Sequence, residues 1–553
     1  MASFDAVFVG SGINSLASAA LLSQAGWQVC VLERSDRLGG AIRTVDDLTE
    51  PGFTHELLSS WHPLFVGSAA YAELKPELDR RGLEYLNTEL PTATLFPDGG
   101  GAFLTTTAEG NADEFDRHAV GDGAAWGRQF DAFMGSADLS FGVLSAELWS
   151  PQGLEIARKA YRRFGRRGLL EFGGGTLATA RDWLETTFAS EQARGLLAPW
   201  VLHTGLGPDA AVSGFMTQVI ACAIQLGGMP VPKGGGVKLV EALAGIIRDA
   251  GGELRTDADV VRITLASGRA SGVRLADGDT VAATRAVVAS VTPTQLYGSL
   301  LSEFDVPADV HAAGVGFRYG RAGMQLHFAL SESPAWKSDD ADRLAKTAMV
   351  HISSGLNGVS RAVNEAERGL LPAAATIVVG QPCAVDPSRA PDGKSMLWIQ
   401  LQELPRRPTG DALGQIDVRD GSWTPELREA YADRITARLS TQIANLDRAT
   451  LKRVVLSPAD LEAVNCNLVG GDIYAGSCAL DQNLLWRPTA KTPGHTTPVD
   501  GLWHIGASTH PGPGLGAGSG YLVAKELTKP ALRRRVLDRV PGGVAAMRDK
   551  LSP

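Results

Sequence analysis

The feature that most constrains this chain lies near its start. Ala6-Val-Phe-Val9 is a short, wholly apolar run of the kind that forms a buried parallel strand. Gly10-Ser-Gly12-Ile-Asn14-Ser15 follows directly, and Leu16, Ala20, Leu21 and Ala25 then recur at helical spacing up to Gly26. Gln28-Val-Cys-Val-Leu32 reads as a second buried strand, closed by Glu33. Strand, glycine turn, helix, strand and acid make a βαβ unit of about 30 residues, with the acid about 20 residues past the glycines. Gly10 permits the tight turn. Gly12 lets backbone N–H groups reach a pyrophosphate at the helix N-terminus, where the dipole favours anions. Glu33 can accept hydrogen bonds from ribose hydroxyls. Ser15 replaces the third glycine and is small enough to keep helix and strand close. The unit predicts a bound dinucleotide.

The next residues select which one. Arg34-Ser-Asp-Arg-Leu-Gly39-Gly40-Ala41-Ile-Arg43 places a second glycine pair just after the acid. It resembles the RxGGR-type extension of FAD enzymes of the glutathione-reductase superfamily, in which the chain returns along the flavin pyrophosphate. At the far end, the strand-like Gly501-Leu-Trp-His-Ile505 leads into Gly506-Ala507-Ser-Thr-His510-Pro-Gly-Pro-Gly-Leu515-Gly516-Ala517-Gly-Ser-Gly520, and a helix pattern starts at Tyr521. Such a loop brings bare backbone near something flat or anionic, and a helix N-terminus there suits the negative charge of a reduced flavin.

Composition narrows the class. With 44% apolar and 20% charged residues the chain is globular, and its length calls for more than one packed unit. A net charge of −9 argues against general nucleic-acid binding. The five cysteines are scattered and include no CxxC pair, which excludes dithiol–disulfide reduction and a Cys-ligated zinc site. No metal-binding motif is present. The N-terminal residues show no signal-peptide pattern and no apolar run approaches spanning length, so a cytoplasmic protein, at most peripheral to a membrane, is expected.

Gly506-Ala-Ser-Thr-His-Pro-Gly512 resembles the GAxTHPG signature of bacterial phytoene desaturase-like flavoproteins. Pro51-Gly-Phe-Thr-His, Ser59-Ser60-Trp-His62-Pro63, Gly227-Gly-Met-Pro-Val-Pro-Lys-Gly-Gly-Gly236, Asp386-Pro-Ser-Arg-Ala-Pro391, Gly470-Gly-Asp-Ile-Tyr and Leu480-Asp-Gln…Arg487-Pro488 agree with it in order. The resemblance implies an α/β fold: a discontinuous, Rossmann-like FAD-binding domain of the glutathione-reductase type, and a second, α+β substrate domain containing an antiparallel sheet. Its segments are expected at 1–100 (FAD domain), 101–225 (helical substrate region), 226–295 (FAD domain), 296–455 (substrate domain), 456–530 (FAD domain) and 531–553 (tail). It also implies non-covalent FAD bound by Gly10, Gly12, Asn14, Ser15, Glu33, Arg34, Gly39, Gly40, Ala41, Ser59, Ser60, Val260, Ala289, Ser290, Gly506, Ala507, Leu515, Gly516 and Ala517. Val260 would contact the adenosine half through its backbone.

Flavin dehydrogenation needs little from the protein beyond position, since a hydride leaves for flavin N5 and any acidic proton goes to a base or to solvent. His62, beside the segment expected to pass the isoalloxazine, and His510, in the glycine-rich loop, are the candidate acid/base residues. No second strand–GxGxxG–helix unit follows between 100 and 300, so oxygen or a quinone, rather than NAD(P), is the expected electron acceptor. The expected activity is hydride removal from a largely apolar organic substrate to form a double bond. The alternatives are a flavin amine or amino-acid oxidase, and a redox-silent lipid-binding chaperone of similar fold. Residues 154–170 interleave Arg158, Lys159, Arg162, Arg163, Arg166 and Arg167 with Leu154, Ile156, Tyr161, Phe164, Leu169 and Leu170, a basic amphipathic pattern suited to an anionic membrane surface or to a solvated helix face. Leu532-Arg-Arg-Arg535 adds to it.

Overall fold

The structure is a computed structural model that describes residues 3–529. The basic run at 532–535 and the expected tail lie outside the described residues. Strand β1 (Ser3–Val9), helix α1 (Ile13–Gln24) and strand β2 (Val29–Leu32) form the βαβ unit. β1 lies at the centre of a seven-stranded sheet ordered 260–266, 269–275, 280–289, β1, β2, 253–255, with Leu502–His504 added beside 280–289. Pairing is parallel from 280–289 across to 253–255, and antiparallel only in the meander 260–289. Three distant stretches of chain therefore build one sheet.

Sequence periodicity gives α1 a single apolar face, but the helix is buried on nearly every side and Ala25 is the exposed C-cap. Its small residues let Val237–Asp249 and the C-terminal helix Gly518–Thr528 pack directly on it. The approach is closest at Gly520, where a Cβ would lie 1.9 Å from the carbonyl oxygen of Asn14.

The second sheet orders strands 450–456, 322–330, 395–404, 377–380, 349–352, 92–95 and 101–104, antiparallel except where 349–352 meets 92–95. Helix Pro425–Gln442 packs on one face, burying Leu427, Tyr431, Ile435 and Leu439. The hairpin 92–95/101–104 belongs to this sheet, so the expected domain boundary at residue 100 falls inside it and the first FAD segment ends before residue 92. The boundary is hidden in the sequence because both sheets use the same apolar strand pattern.

The two lobes are tied by a buried ion network. Arg389, fully buried, donates to Glu56 Oε1 (3.0 Å), Asp386 Oδ2 (3.2 Å) and the Pro232 carbonyl (2.6 Å). Glu56 and Asp386 in turn accept from the backbone N–H groups of Gly236 and Gly234. This pins Lys233–Gly236 as the turn opening helix Val237–Asp249, as its sequence suggests.

Helix Pro151–Leu177 carries the basic amphipathic segment. It is interrupted at Gly165, whose φ is +63°, and buries only Ala160. One continuous apolar stripe is therefore absent. Leu154, Tyr161 and Leu170 are exposed among the arginines, two of which pair with acids: Arg163 with Asp138 (2.6 Å) and Arg167 with Glu171 (3.0 Å). Among the described residues no helix is long and apolar enough to cross a membrane.

Candidate functional site

The nucleotide half of the site is built by the β1–α1 turn. Gly10 has φ +89°, and a Cβ there would press on the Ser290 carbonyl at 3.3 Å. Gly12 is the N-cap of α1 and supplies no side-chain cap, so the first-turn N–H groups remain open to an anion. A Cβ on Gly12 would meet no protein atom within 4 Å, yet one on Gly40 would lie 3.0 Å from the Gly12 Cα. The Gly39–Gly40 turn thus rests against the first glycine turn, and the space above Gly12 is left clear. Glu33, buried, accepts from Ser11 N (3.0 Å), Ser11 Oγ (2.6 Å) and Ser35 N (3.0 Å). These bonds fix its carboxylate at the end of β2. Arg34, Arg37 and Arg43 line the same end of the cavity and suit a pyrophosphate.

The opposite wall is the loop 506–517. Leu515 and Ala517 hold φ +59° and +57°, a left-handed conformation costing non-glycine residues of order 1–3 kcal/mol and typical of ligand sites. Ala517 is also the uncapped N-cap of helix Gly518–Thr528, so a second helix N-terminus opens on the cavity. Arg487, fully buried, holds the loop: its guanidinium donates to the carbonyls of Ala507 (2.8 Å), Ser477 (3.1 Å) and Tyr474 (3.3 Å).

Between these walls lies one cavity of about 1650 Å³, more than the roughly 300–1,000 Å³ of a pocket for a single small molecule. It has room for a dinucleotide and a second ligand. Gly10, Gly12, Asn14, Glu33, Arg34, Gly40, Ala41, Ser59, Ser60, Val260, Ser290, Gly506, Ala507, Leu515, Gly516 and Ala517 all line it. Ser15, Gly39 and Ala289 do not. Ser15 is fully buried inside α1, Gly39 packs against Ile42 and Val240, and Ala289 sits in the sheet between Val9 and His504. Asn14 has a structural duty as well, accepting from Gly520 N at 3.1 Å and so tying α1 to the C-terminal helix.

Neither candidate acid/base histidine reaches the cavity. His62 is buried, its Nδ1 sharing a 3.0 Å hydrogen bond with the Tyr85 hydroxyl, and burial pulls its pKa down to about 3. His510, within the loop, is buried, its carbonyl bonded to His495 Nε2 at 2.8 Å, and burial lowers its pKa to about 4. Motif position placed both near the flavin, but backbone direction turns their rings into the protein.

The part of the cavity remote from the glycine turns was not identified from sequence. Trp61, Trp200, His203, Trp398, Gln400, Gln402 and Tyr474 line it, beside Met216, Val219 and Ile220 of helix Ser213–Gly227. The available signal was Gln400 and Gln402, two amides two residues apart in the mostly apolar strand Ser395–Leu404, hence on one face. Gln325, which also lines the cavity, is the cross-strand partner of Gln400. His203 is the single histidine among the lining residues; it bonds His351 (Nε2 to Nε2, 3.0 Å) and is held neutral by burial, its pKa near 3.

A nucleotide cradle from two helix N-termini, joined to an apolar chamber on an antiparallel sheet, defines a two-lobed FAD-dependent flavoprotein. The comparisons specify the family: residues 16–406 match the flavin containing amine oxidoreductase family, and the chain belongs to it. It is similar to pyridine nucleotide-disulfide oxidoreductase domain-containing protein 2 of Mus musculus (25% identical, covering 95% of this chain and 94% of that one). It is also similar to a subunit of limonene dehydrogenase from Castellaniella defragrans (24%, 95% and 94%) and to hydroxyneurosporene desaturase of Cereibacter sphaeroides (26%, 92% and 94%). Among solved structures, an oxidoreductase from Methanosarcina mazei shares the fold with a TM-score of 0.60 at 16% identity, covering 94% of this chain and 99% of that one. Putrescine oxidase bound to putrescine shares it at 0.59 and 15%, with 96% and 99% covered. FAD is the cofactor, and the protein is an FAD-dependent oxidoreductase of the desaturase-like branch.

Proposed function

We propose that this protein dehydrogenates a largely apolar organic molecule, forming a carbon–carbon double bond, and passes the electrons to oxygen or a quinone. The observation that carries the reading is the remote half of the cavity, walled by indoles, aliphatic side chains and neutral polar ones (Gln325, Gln400, Gln402, His203, Tyr474), with no charged group among the described residues. All six charged lining residues, Glu33, Arg34, Arg37, Arg43, Asp259 and Glu462, lie on segments flanking the nucleotide half. A cationic amine would find no carboxylate partner there but would meet the rings of Trp61, Trp200, Trp398 and Tyr474, the aromatic surroundings that favour the amine-oxidase alternative, so the substrate test below separates the two readings. The names of the desaturase and dehydrogenase relatives support dehydrogenation.

When bound, FAD supplies two-electron oxidation of a C–H bond. The protein's own work is positional. Gly12 and the first turn of α1 hold the pyrophosphate, Glu33 receives the ribose hydroxyls, and the 506–517 loop with Ala41, Ser59 and Ser60 orients the flavin. The indoles and Met216, Val219 and Ile220 exclude water from the reacting carbon. Among the described residues His203 is the one histidine lining the chamber, and, held neutral by burial, it is a weak base, so the residues act by placement more than by proton transfer. Of the two cysteines lining the cavity, Cys478 has its thiol pushed up by burial and Cys466 faces Gln295 Oε1, which supports non-covalent flavin. Among the described residues the second sheet offers no further strand–glycine–helix unit for NAD(P), which supports another acceptor.

Exposed Leu154, Tyr161 and Leu170 among basic residues support docking of helix Pro151–Leu177 on an anionic membrane, where an apolar substrate dissolves. Flotation with anionic vesicles, lost on replacing Arg158, Arg162 and Arg166 by Glu, is the expected result; equal flotation with neutral vesicles rejects it. The test of the activity begins with the visible spectrum. Flavin released by acid precipitation, then anaerobic bleaching by an apolar alkene and recovery with oxygen or a quinone but not NAD⁺, is expected. A flavin-loaded protein bleached by amines and by no apolar substrate refutes the reading.

A further inference from the structure

The loop that walls the cofactor side of the cavity is fastened at its ends and little in between. Arg487 grips the Ala507 carbonyl at 2.8 Å, and Ser519 Oγ meets Gly506 N at 3.1 Å and Thr509 Oγ1 at 2.7 Å. Residues 511–517 all line the cavity, yet among the described residues the one backbone hydrogen bond within 511–516 is Gly512 N to the Thr509 carbonyl. Immediately before this span, the His510 carbonyl accepts from His495 Nε2 at 2.8 Å. His495 is buried and bonded at both ring nitrogens. A carbonyl only accepts, so Nε2 carries a proton, and a second proton lies between Nδ1 and Glu147 Oε2 across 2.5 Å. Glu147 thereby fixes the orientation of the ring and the proton on its far side. Glu147 stands in the turn between helices Asp122–Ser145 and Pro151–Leu177 and is itself held close. A Cβ on Gly494 would lie 2.1 Å from its Oε1, and Trp149, two residues on, donates to the Leu485 carbonyl at 2.7 Å. Phe141, Leu144 and Ser145, just before the turn, line the cavity. Two buried hydrogen bonds in series thus run from the end of a helix that walls the cavity to the loop that faces the flavin.

We infer that Glu147 and His495 are positioning residues for the flavin, setting the span 511–517 against the cofactor through the His510 carbonyl. Neither lines the cavity, so they act through the span and not by contact. The span carries the backbone N–H groups of Gly514, Leu515, Gly516 and Ala517, and partial positive charge there favours the reduced flavin, which is negative, over the oxidised one. A span released at His510 still encloses oxidised FAD but holds its N–H groups less well on the reduced form. The inference rests on FAD binding and is independent of the substrate proposed above.

The test is the two-electron midpoint potential of the FAD-loaded full chain, measured together with its Tm. His495→Leu removes the donor to the His510 carbonyl. Glu147→Leu keeps that donor but frees the ring to rotate and to shift its proton. Glu147→Gln keeps the ring fixed, because its amide N–H donates to Nδ1 and leaves the proton on Nε2. Both leucine variants are expected to bind reduced FAD at least about threefold less well relative to oxidised FAD, the scale of a backbone dipole acting on a charge, which moves the potential about 14 mV more negative. Glu147→Gln is expected to restore the wild-type potential. Should His495→Leu fail to fold, the comparison of Glu147→Leu with Glu147→Gln gives the same reading. A potential unchanged in the leucine variants, even with a lowered Tm, overturns the inference and leaves the cluster a structural tie. A potential shifted equally by Glu147→Gln and Glu147→Leu also overturns it, since the charge of Glu147 would then act on the flavin without the hydrogen-bonded ring.

Discussion

Gly12 offers the sharpest separation of ligand binding from folding. Its φ of −61° is one that alanine adopts freely, and the added methyl would meet nothing in the protein within 4 Å. Gly12→Ala should therefore change the stability of the flavin-free protein by no more than about 1 kcal/mol, since the loss of unfolded-state entropy and the weaker N-cap oppose each other. The same methyl occupies the space through which a phosphate oxygen must approach to about 2.9 Å of the helix N–H groups. Losing two such bonds to a charged partner, each worth about 1.5–3 kcal/mol, weakens FAD binding by at least about 3 kcal/mol, more than 100-fold. The assay is FAD titration by fluorescence quenching, paired with thermal unfolding with and without excess FAD. Wild type gains Tm with FAD by mass action, and the variant starts at the same flavin-free Tm but gains little. FAD affinity within threefold of wild type, or a flavin-free variant several kcal/mol less stable, would refute the assignment of Gly12 to the pyrophosphate.

Other perturbations test the packing around the site. Gly520→Ala must move a contact from 1.9 Å to beyond 3.0 Å, so the C-terminal helix retreats from α1 by more than about 1 Å; the variant should lose about 1–3 kcal/mol of stability and some FAD affinity, both visible in the same titrations. Arg389→Met leaves Glu56 and Asp386 buried without their cation and should cost about 3–5 kcal/mol by chemical denaturation. Glu403, fully buried behind the substrate sheet and bonded to Thr376, has its pKa raised to about 7 by desolvation. Because the folded pKa lies above the unfolded one, its stabilising contribution is complete below about pH 4.5 and is lost as pH rises through 7, a swing of about 3 kcal/mol. Relative to wild type, Glu403→Gln should thus be more stable at pH 8.5 than at pH 5, and an identical urea-midpoint difference at both values would contradict this. With the His203 pKa near 3, the pH–rate profile should show no step near 6.5.

The nucleotide half was legible because its determinants are local. A turn of Gly10 and Gly12, an uncapped helix start and an acid at the end of β2 are all set by neighbours within some 30 residues, and backbone conformation leaves its mark as glycine. The C-terminal loop was legible for the same reason: Leu515 and Ala517 adopt left-handed angles inside a run already full of glycine.

The substrate half was decided only by tertiary structure. Gln325 and Gln400 lie 75 positions apart and meet through strand register, while Trp61, Trp200 and Trp398 converge from three separate segments. Each alone reads as an ordinary core or sheet residue, since one polar side chain in an apolar strand carries no statement of which cavity it faces. His62 and His510 show the converse. Their motifs set them beside the cofactor in sequence, but ring direction depends on backbone course and packing, and both rings are buried away from the cavity, His62 against Tyr85. Sequence determined that this chain binds FAD because phosphate recognition is a backbone property encoded locally. Only the tertiary structure decided what faces the flavin, because that surface is assembled from side chains whose neighbours are distant in the chain.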